Sequence, residues 1–312
     1  MKHWRAENYR YTLYLLITVF GWGIMYPASK HAVSSGIDGY YLTLIRYVLG
    51  AILGSLVLLA VEGKKSYRTE GKTGQLWFFG TVGFAGLNFL TFIGIGFSSA
   101  EHATIILALM PMLSIMLSLL INRQLPHIKT IICAALAFIG IVLVITNGNF
   151  SHLVASASFG GDLLLLAATT CWVIYTYFAN TLITKHHWSA LRVTALSSSL
   201  GMISIITITI VASCLDLAHP PSIPALSASW LDILILVVTT LVIISWNAGI
   251  NGLGAINGIL FVNLVPVISF VIGIYQGHTI STIEITGALL VIIALILNNL
   301  LMRSPEKSCK PI

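Results

Sequence analysis

The sequence LALMPMLSIMLS at residues 107–118 recurs without a gap as VNLVPVISFVIG at residues 262–273. The two stretches lie 155 positions apart, and the alignment pairs Pro111 with Pro266. Apolar helices match one another easily by chance, so the leucines and isoleucines in this alignment carry little weight. The paired prolines carry more, and they indicate that the chain contains an internal duplication.

A second correspondence, near the start of each half, supports the duplication. With an offset of 150, Trp22 pairs with Trp172. The composition indicates the setting, because 57% of the 312 residues are hydrophobic and only 8% are charged. Soluble domains carry roughly 25% charged residues, so a water-facing surface is excluded. The sequence therefore predicts a polytopic membrane protein.

Ten apolar stretches are each long enough to cross a hydrocarbon core of about 30 Å. Within lipid every backbone polar group needs an internal partner, so spans this apolar must be helices. The alternating pattern of transmembrane strands does not occur in them. The predicted spans are 11–32, 40–61, 75–97, 101–121, 129–146, 160–183, 190–214, 230–250, 255–275 and 283–302.

The basic residues predict the orientation of these spans. Fourteen of the 16 lie at one side of the predicted membrane: Lys2, Arg5, Arg10, Lys64, Lys65, Arg68, Lys72, Arg123, Lys129, Lys185, Arg192, Arg303, Lys307 and Lys310. The positive-inside rule places that side in the cytoplasm. We therefore expect both termini to be cytoplasmic, in a plasma membrane such as the bacterial inner membrane. The net charge of +6 follows from this topology and does not indicate a nucleic-acid partner.

Each half contains five spans, and five is an odd number. The second half must therefore enter the membrane from the opposite side, which gives inverted repeats. The predicted fold class is all-α, with ten transmembrane helices in two inverted five-helix repeats. The expected units are residues 1–147, residues 160–302 and a cytoplasmic tail at 303–312. Inverted repeats are typical of alternating-access transporters, whose substrate site lies near the midplane between the repeats.

The sequence also resembles a known family. GWGIMYPASK (21–30), LIRY (44–47) and SSAEHATIILALMP (98–111) are similar to the first EamA domain of the drug/metabolite transporter superfamily, and WNAGINGLGAINGILFVNLVPV (246–267) is similar to the second. The resemblance implies a ten-helix secondary transporter of small metabolites, often amino acids or related compounds.

The chain departs from the family pattern at two places. Family members often carry a Gly-Glu pair after the fourth and ninth spans, where this chain has Asn-Arg at 122–123 and Gly-His at 277–278. No role of that acid is carried over to this chain.

Two basic residues fall inside spans, where an ionisable group by default marks a pathway or a paired structural site. Lys30 shares a face of the first span with Tyr26 and Trp22. It either binds an anionic group in a cavity or extends outward to the membrane surface. Arg46 matches the arginine typical of the family, and it either braces helices or contacts substrate.

Glu101 and His102 begin the fourth span. Either residue is a candidate proton relay, because histidine titrates near neutrality and burial raises the pKa of a glutamate. The alternative is that both are solvated at a helix N-terminus, where the dipole favours Glu. Pro111 and Pro266 are expected to bend two helices around the site, as coupling or gating elements together with Arg46, Glu101 and His102.

Polar and aromatic residues at mid-membrane positions are the candidates for substrate binding. Asparagine within a span lines a cavity or bonds a neighbouring helix, and the aromatic residues suggest a pocket for an amphipathic solute. The predicted substrate-binding residues are Trp22, Tyr26, Lys30, Asn88, Trp172, Tyr175, Thr176, Asn180, Trp246 and Asn247.

The leading hypothesis is a secondary active or facilitative transporter of a small zwitterionic or anionic metabolite, such as an amino acid or derivative. The alternative is an exporter of cationic or amphipathic drugs, coupled to protons through Glu101 or His102. An enzyme is not predicted, because no cluster of acids, histidines or nucleophiles forms a catalytic set. No P-loop, cofactor motif or metal-ligand spacing occurs. Whether the chain is a monomer or a homodimer stays open.

Overall fold

The computed structural model describes residues 2–98, 100–122, 127–146, 148–149, 159–275 and 281–302. Within these ranges the chain is helical and contains no strand. The helices are α1 (Lys2–Ser34), α2 (Gly39–Val61), α3 (Thr73–Gly80), α4 (Leu87–Phe97), α5 (Ala100–Leu107), α6 (Met110–Asn122), α7 (Ile128–Thr146), α8 (Phe159–His186), α9 (Ala190–Cys214), α10 (Ile223–Ala228), α11 (Trp230–Leu241), α12 (Ile243–Leu253), α13 (Ala255–Ile259), α14 (Leu264–Tyr275) and α15 (Thr282–Met302). The predicted tail at 303–312 lies outside the described residues.

Seven helical stretches of the described chain are long and apolar enough to cross a membrane. They are Tyr9–Ser34, Gly39–Val61, Thr73–Ile95, Ile128–Thr146, Phe159–His186, Ala190–Cys214 and Trp230–Leu253. Three further helical stretches are apolar but shorter, with 10–17 residues each: Ile105–Ile121, Ala255–Ile268 and Thr282–Asn298. Each of the ten predicted spans overlaps one of these stretches, and the all-helical, multi-pass architecture is confirmed.

The two ends of the helix bundle differ in charge. One end, called the basic end below, carries Lys64, Lys65, Arg68, Lys72, Lys185 and Arg192. The other, called the opposite end, carries Asp38, Asp216 and Asp232. Helix α2 starts at the opposite end, where Asp38 accepts a hydrogen bond from the Tyr40 amide at 2.7 Å. Helix α9 starts at the basic end, where Ser189 caps the Arg192 amide at 2.9 Å.

The helices pair across the two halves of the sequence in a reciprocal pattern. Helix α1 packs along α12, and α8 packs along α4. Likewise α2 packs on α11, and α9 packs on α3. Other large contacts join α2 to α9, α7 to α15, and α1 to both α11 and α14. Exchanging the two halves maps the first four pairs onto one another.

Glycines make the closest of these contacts possible. A Cβ added at Gly249 would meet Cγ of Leu15 at 2.5 Å, and one at Gly94 would meet Cγ of Leu165 at 2.8 Å. Such distances leave no room for a side chain, so the helices approach through the bare backbone. The glycines are 155 positions apart and the leucines 150, so each half supplies the glycine to one contact and the leucine to the other.

Four membrane helices are interrupted near mid-depth. A π-helix at Thr81–Gly86 separates α3 from α4, and the chain breaks at Val242 between α11 and α12. A turn precedes α6, and a 3-10 helix at Leu260–Asn263 precedes α14. Pro111 and Pro266 each lie in the first turn after such a break. There a missing amide hydrogen removes no intrahelical bond.

Candidate functional site

A cavity of about 280 Å³ lies among the helices of both halves. Its described lining consists of Trp22, Met25, Ser29, Arg46, Tyr47, Leu87, Asn88, Thr91, Phe92, Ile95, Ala103, Leu107, Met110, Leu165, Thr169, Trp172, Thr239, Thr240, Ile243, Val262 and Val265. Helix α2 begins at the opposite end, and Arg46 lies seven residues, or about 10 Å, along it. The cavity therefore occupies the half of the bundle that faces the opposite end.

Arg46 is the one charged residue of the described lining. Its Nη2 donates to the Tyr47 hydroxyl at 2.9 Å and to Oδ1 of Asn88 at 3.0 Å, while Nη1 lies 3.1 Å from the sulfur of Met25. Its Nε is buried and has no partner. None of the ion pairs between described residues includes Arg46. A guanidinium without an acid partner is costly within a membrane, which makes Arg46 a candidate functional residue.

Neighbouring side chains hold the guanidinium in place. The Asn88 amide donates to the Phe84 carbonyl at 2.7 Å and to the Tyr47 hydroxyl at 3.2 Å. These bonds turn its carbonyl oxygen towards Arg46. The guanidinium carbon also lies 4.6 Å from the centroid of the Tyr47 ring, within the range of a cation–π interaction. Arg46 is thus oriented by neutral partners on α1, α2 and α4.

Aromatic rings close the cavity towards the basic end. The ring centroid of Trp22 lies 5.5 Å from the ring centroid of Trp172 and 5.1 Å from that of Trp246. Tyr175 and Phe84 pack against this group, with their own centroids 4.8 Å apart. We call these five residues the aromatic floor. Trp172 and Trp246 are at most 2% exposed, so the floor is tightly packed.

A buried polar network lies against the floor. Asn247 donates to the Tyr175 hydroxyl at 3.2 Å and to the Thr194 hydroxyl at 2.9 Å. The Trp246 indole donates to Thr176 at 3.2 Å. The structure thus brings together four predicted binding residues, Tyr175, Thr176, Trp246 and Asn247. None of them contributes to the cavity lining.

The face of α1 that lines the cavity differs from the face predicted to bind substrate. Trp22, Met25 and Ser29 line the cavity, whereas Lys30 is exposed and lies outside the lining. Each residue turns an α-helix by about 100°, so eight residues make two full turns plus about 80°. The side chain of Lys30 therefore points about 80° away from that of Trp22. Residues three and seven positions after Trp22 stay closer to its face. The spacing of Met25 and Ser29, three and seven residues after Trp22, was therefore the sequence signal for the face of α1 that lines the cavity.

The same shift occurs on α8. Leu165, Thr169 and Trp172 line the cavity, whereas the predicted Thr176 and Asn180 follow Trp172 towards the basic end and lie outside the lining. Of the predicted binding residues, three line the cavity: Trp22, Asn88 and Trp172. Pro111 and Pro266 lie next to lining residues without lining it.

Three predicted residues have side chains outside the described part of the structure. They are Tyr26, Glu101 and His102, whose backbones belong to α1 and α5. Sequence reasoning also missed lining residues, chiefly Tyr47 and the threonines Thr91, Thr169, Thr239 and Thr240. Threonine and tyrosine are common in membrane helices, and nothing in their spacing separates these from the others.

Comparisons with known proteins agree with one another on the kind of protein. The EamA-like transporter family matches residues 10–146 and again residues 159–300. The uncharacterized transporter YrdR of Bacillus subtilis (strain 168) is 34% identical over 297 residues, which are 93% of this chain and 91% of the relative. The uncharacterized transporter YyaM of the same strain is 28% identical over 268 residues, covering 85% and 86% of the two chains.

A solved crystal structure has the same fold. It superposes with a TM-score of 0.75 over 94% of this chain and 98% of its own, at 18% sequence identity. At that identity the likeness concerns the fold alone.

Proposed function

The chain belongs to the EamA-like transporter family, and we propose that it is a secondary transporter that carries a small anionic or zwitterionic metabolite by alternating access. An amino acid or amino acid derivative is the proposed substrate class. The observation that carries the proposal is Arg46, a guanidinium that faces the cavity and pairs with no described acid.

The donors around the cavity suit a carboxylate. A guanidinium presents a planar set of N–H groups that matches the two oxygens of a carboxylate. The Nε of Arg46 and the indole nitrogen of Trp172, which also lines the cavity, are both buried donors without a partner. An unmade hydrogen bond costs roughly 1–3 kcal/mol. Both atoms are covered by neighbouring side chains, so a bound carboxylate would reach them only after those side chains move.

Alternating access rests on the two halves, 1–147 and 160–302, acting as inverted five-helix repeats. The reciprocal helix contacts support this, because α1 meets α12 as α8 meets α4. The interrupted helices support it as well, since broken helices beside a central site are typical of transporters built from inverted repeats. Rocking of the repeats about the aromatic floor would then expose the site to each side in turn.

The orientation proposed from the basic residues places the basic end in the cytoplasm. On that reading the cavity faces the outside of a plasma membrane, for which the bacterial inner membrane is the proposed case. The aromatic floor and the polar network around Asn247 separate it from the cytoplasm. The structure then corresponds to an outward-facing state. A cation exporter is less well supported, because the described lining offers a cation and no acid.

Transport by the reconstituted protein tests the proposal. A metabolite library is first screened for ligands that raise the unfolding temperature of the purified protein, since binding to the folded state stabilises it. The positive compounds are then tested for uptake into proteoliposomes. We expect acids or zwitterions among them to be taken up. Transport confined to cationic compounds would contradict the proposal.

A further inference from the structure

We infer that the cavity selects a monoanion with an apolar body, and that it binds such an acid more tightly than the zwitterionic amino acid of the same shape. This inference rests on the proposed function and narrows its substrate class. It follows from the charges and hydrogen bonds of the described lining.

The charges of the described lining favour a ligand with a single negative charge. Arg46 contributes one positive charge, and the lining described by the structure contains no aspartate or glutamate. A monoanion neutralises this charge on binding. A zwitterion leaves the sum of ligand and site positive, and an uncompensated charge in a low-dielectric cavity is unfavourable.

The polar groups of the lining leave little for an ammonium group. An ammonium brings three donors and needs acceptors, preferably an anion. Oδ1 of Asn88 already accepts from Arg46. The hydroxyls of Thr91, Thr169 and Thr239 each donate to a carbonyl of their own helix, at 2.5, 2.8 and 2.9 Å. Only neutral hydroxyl lone pairs remain at these positions, so desolvation of an ammonium group is poorly offset.

The rest of the wall suits an apolar body. Trp22, Met25, Phe92, Leu107 and Ile243 are among the lining residues that face the same space as Arg46. The volume of about 280 Å³ lies at the lower end of the range of about 300–1,000 Å³ for small-molecule pockets. A small aromatic or branched aliphatic carboxylate therefore matches both the wall and the volume.

Two matched series test this inference on the purified full-length protein. The aromatic series is phenylalanine, N-acetylphenylalanine, 3-phenylpropionate and phenylalaninamide. The aliphatic series is leucine, N-acetylleucine, 4-methylpentanoate and leucinamide. Dissociation constants are measured by calorimetry at neutral pH. In at least one series we expect a monoanion to bind at least about tenfold more tightly than the zwitterion, a difference of about 1.4 kcal/mol, and the amide not to bind.

Variants connect the preference to Arg46. We expect Arg46→Gln to abolish binding of the monoanions and Arg46→Lys, which keeps the charge, to preserve the preference for them at lower affinity. The unfolding temperature of each variant is recorded, so that a folding defect is recognised. Asp216→Asn is the control, because its side chain at the opposite end is 93% exposed, and we expect it to leave the ratio between monoanion and zwitterion unchanged.

The outcomes separate this inference from the function on which it rests. If the zwitterions bind as tightly as the monoanions or more tightly, the inference is overturned while the proposed function stands. If neither series yields a bound acid or zwitterion and only the amides bind, both are overturned. If no compound of either series binds, the proposed ligand class is wrong and the inference falls with it.

Discussion

The indole rings of Trp22 and Trp172 meet edge to face with their centroids 5.5 Å apart, although 150 positions separate them in the sequence. The two residues correspond in the proposed repeats, so each half contributes one ring to the same contact. Both also line the cavity. The floor of the proposed site is therefore built where the two halves meet, which is the place an alternating-access mechanism requires.

Accessibility on the two sides of this floor gives the first prediction. Thr169 is 3% exposed and lines the cavity, whereas Thr176, two turns further along α8, is 0% exposed and lies outside the lining. In a background without the native cysteines, we expect Thr169→Cys to react with a membrane-impermeant thiol reagent added from outside. Thr176→Cys serves as the matched control and should stay unlabelled. Equal labelling of both positions, or labelling of Thr169→Cys only from the cytoplasmic side, would contradict the proposed orientation.

Helix packing gives a second prediction, for which two neighbouring glycines form a control pair. A Cβ at Gly161 would meet the Gly94 carbonyl oxygen at 2.9 Å, while one at Gly160 would meet nothing within 4 Å. We expect Gly161→Ala to destabilise the protein by about 1–3 kcal/mol through overpacking. Gly160→Ala should be neutral or slightly stabilising. Thermal unfolding in detergent measures both, and an equal effect of the two substitutions would argue against the close approach of α4 and α8.

A contact between two loops at the basic end gives a pH-dependent prediction. Arg192 donates to Glu70 at 2.6 Å and Trp188 donates to it at 3.0 Å, and these hydrogen bonds lower the pKa of Glu70 from its ordinary value of 4.5. The ionised carboxylate thus stabilises the folded state above about pH 4.5, and this contribution is lost as the pH falls through the lowered folded-state pKa.

We therefore expect Glu70→Gln to lower the unfolding temperature at pH 7, and the difference from the unmodified protein to shrink at pH 4. The control is Asp216→Asn at the opposite end, whose side chain is 93% exposed. It should change little at either pH. A Glu70→Gln difference that is the same at both pH values would show that the ionised carboxylate does not stabilise the fold.

The tyrosine that holds Arg46 gives a fourth prediction. The Tyr47 hydroxyl accepts hydrogen bonds from both Arg46 and Asn88, so Tyr47→Phe removes one of the two hydrogen bonds that each of these nitrogens donates. We expect ligand affinity to fall by about 3- to 10-fold, as for loss of a hydrogen bond worth roughly 1 kcal/mol. Tyr41→Phe, in the same helix, removes only a bond to Ser213 and is the control. Unchanged affinity in Tyr47→Phe would mean that this contact does not position the guanidinium.

Most of the helical architecture could be predicted from the sequence, because composition alone determines which segments enter lipid. The prolines at 111 and 266 predicted bends in two helices, and each lies in the first turn after a break, where its missing amide hydrogen removes no intrahelical bond. The break at Val242 had no such signal. It lies in an apolar run that contains only Thr239 and Thr240 as polar residues and no proline or glycine.

The location of the site was predicted less well than its chemistry. A charged residue in a span drew attention to Arg46, because the bilayer excludes such groups unless they have a role. The sequence does not determine the rotation of each helix about its axis. Contacts such as that of Gly249 with Leu15 set that rotation for α1, and they turn Met25 and Ser29 towards the cavity in place of Lys30.

The most direct test of the account compares the two basic residues that lie inside predicted spans. Dissociation constants for the same bound acid are measured side by side for the unmodified protein, Arg46→Gln and Lys30→Gln. Truncating one partner of a buried charge pair costs roughly 2–5 kcal/mol, so Arg46→Gln should weaken binding by about 30-fold or more. Lys30→Gln should stay within about threefold, because Lys30 is exposed and lies outside the cavity lining. Retained affinity in a folded Arg46→Gln variant, or an equal loss in Lys30→Gln, would contradict the assignment of Arg46 as the residue that binds the substrate's anionic group.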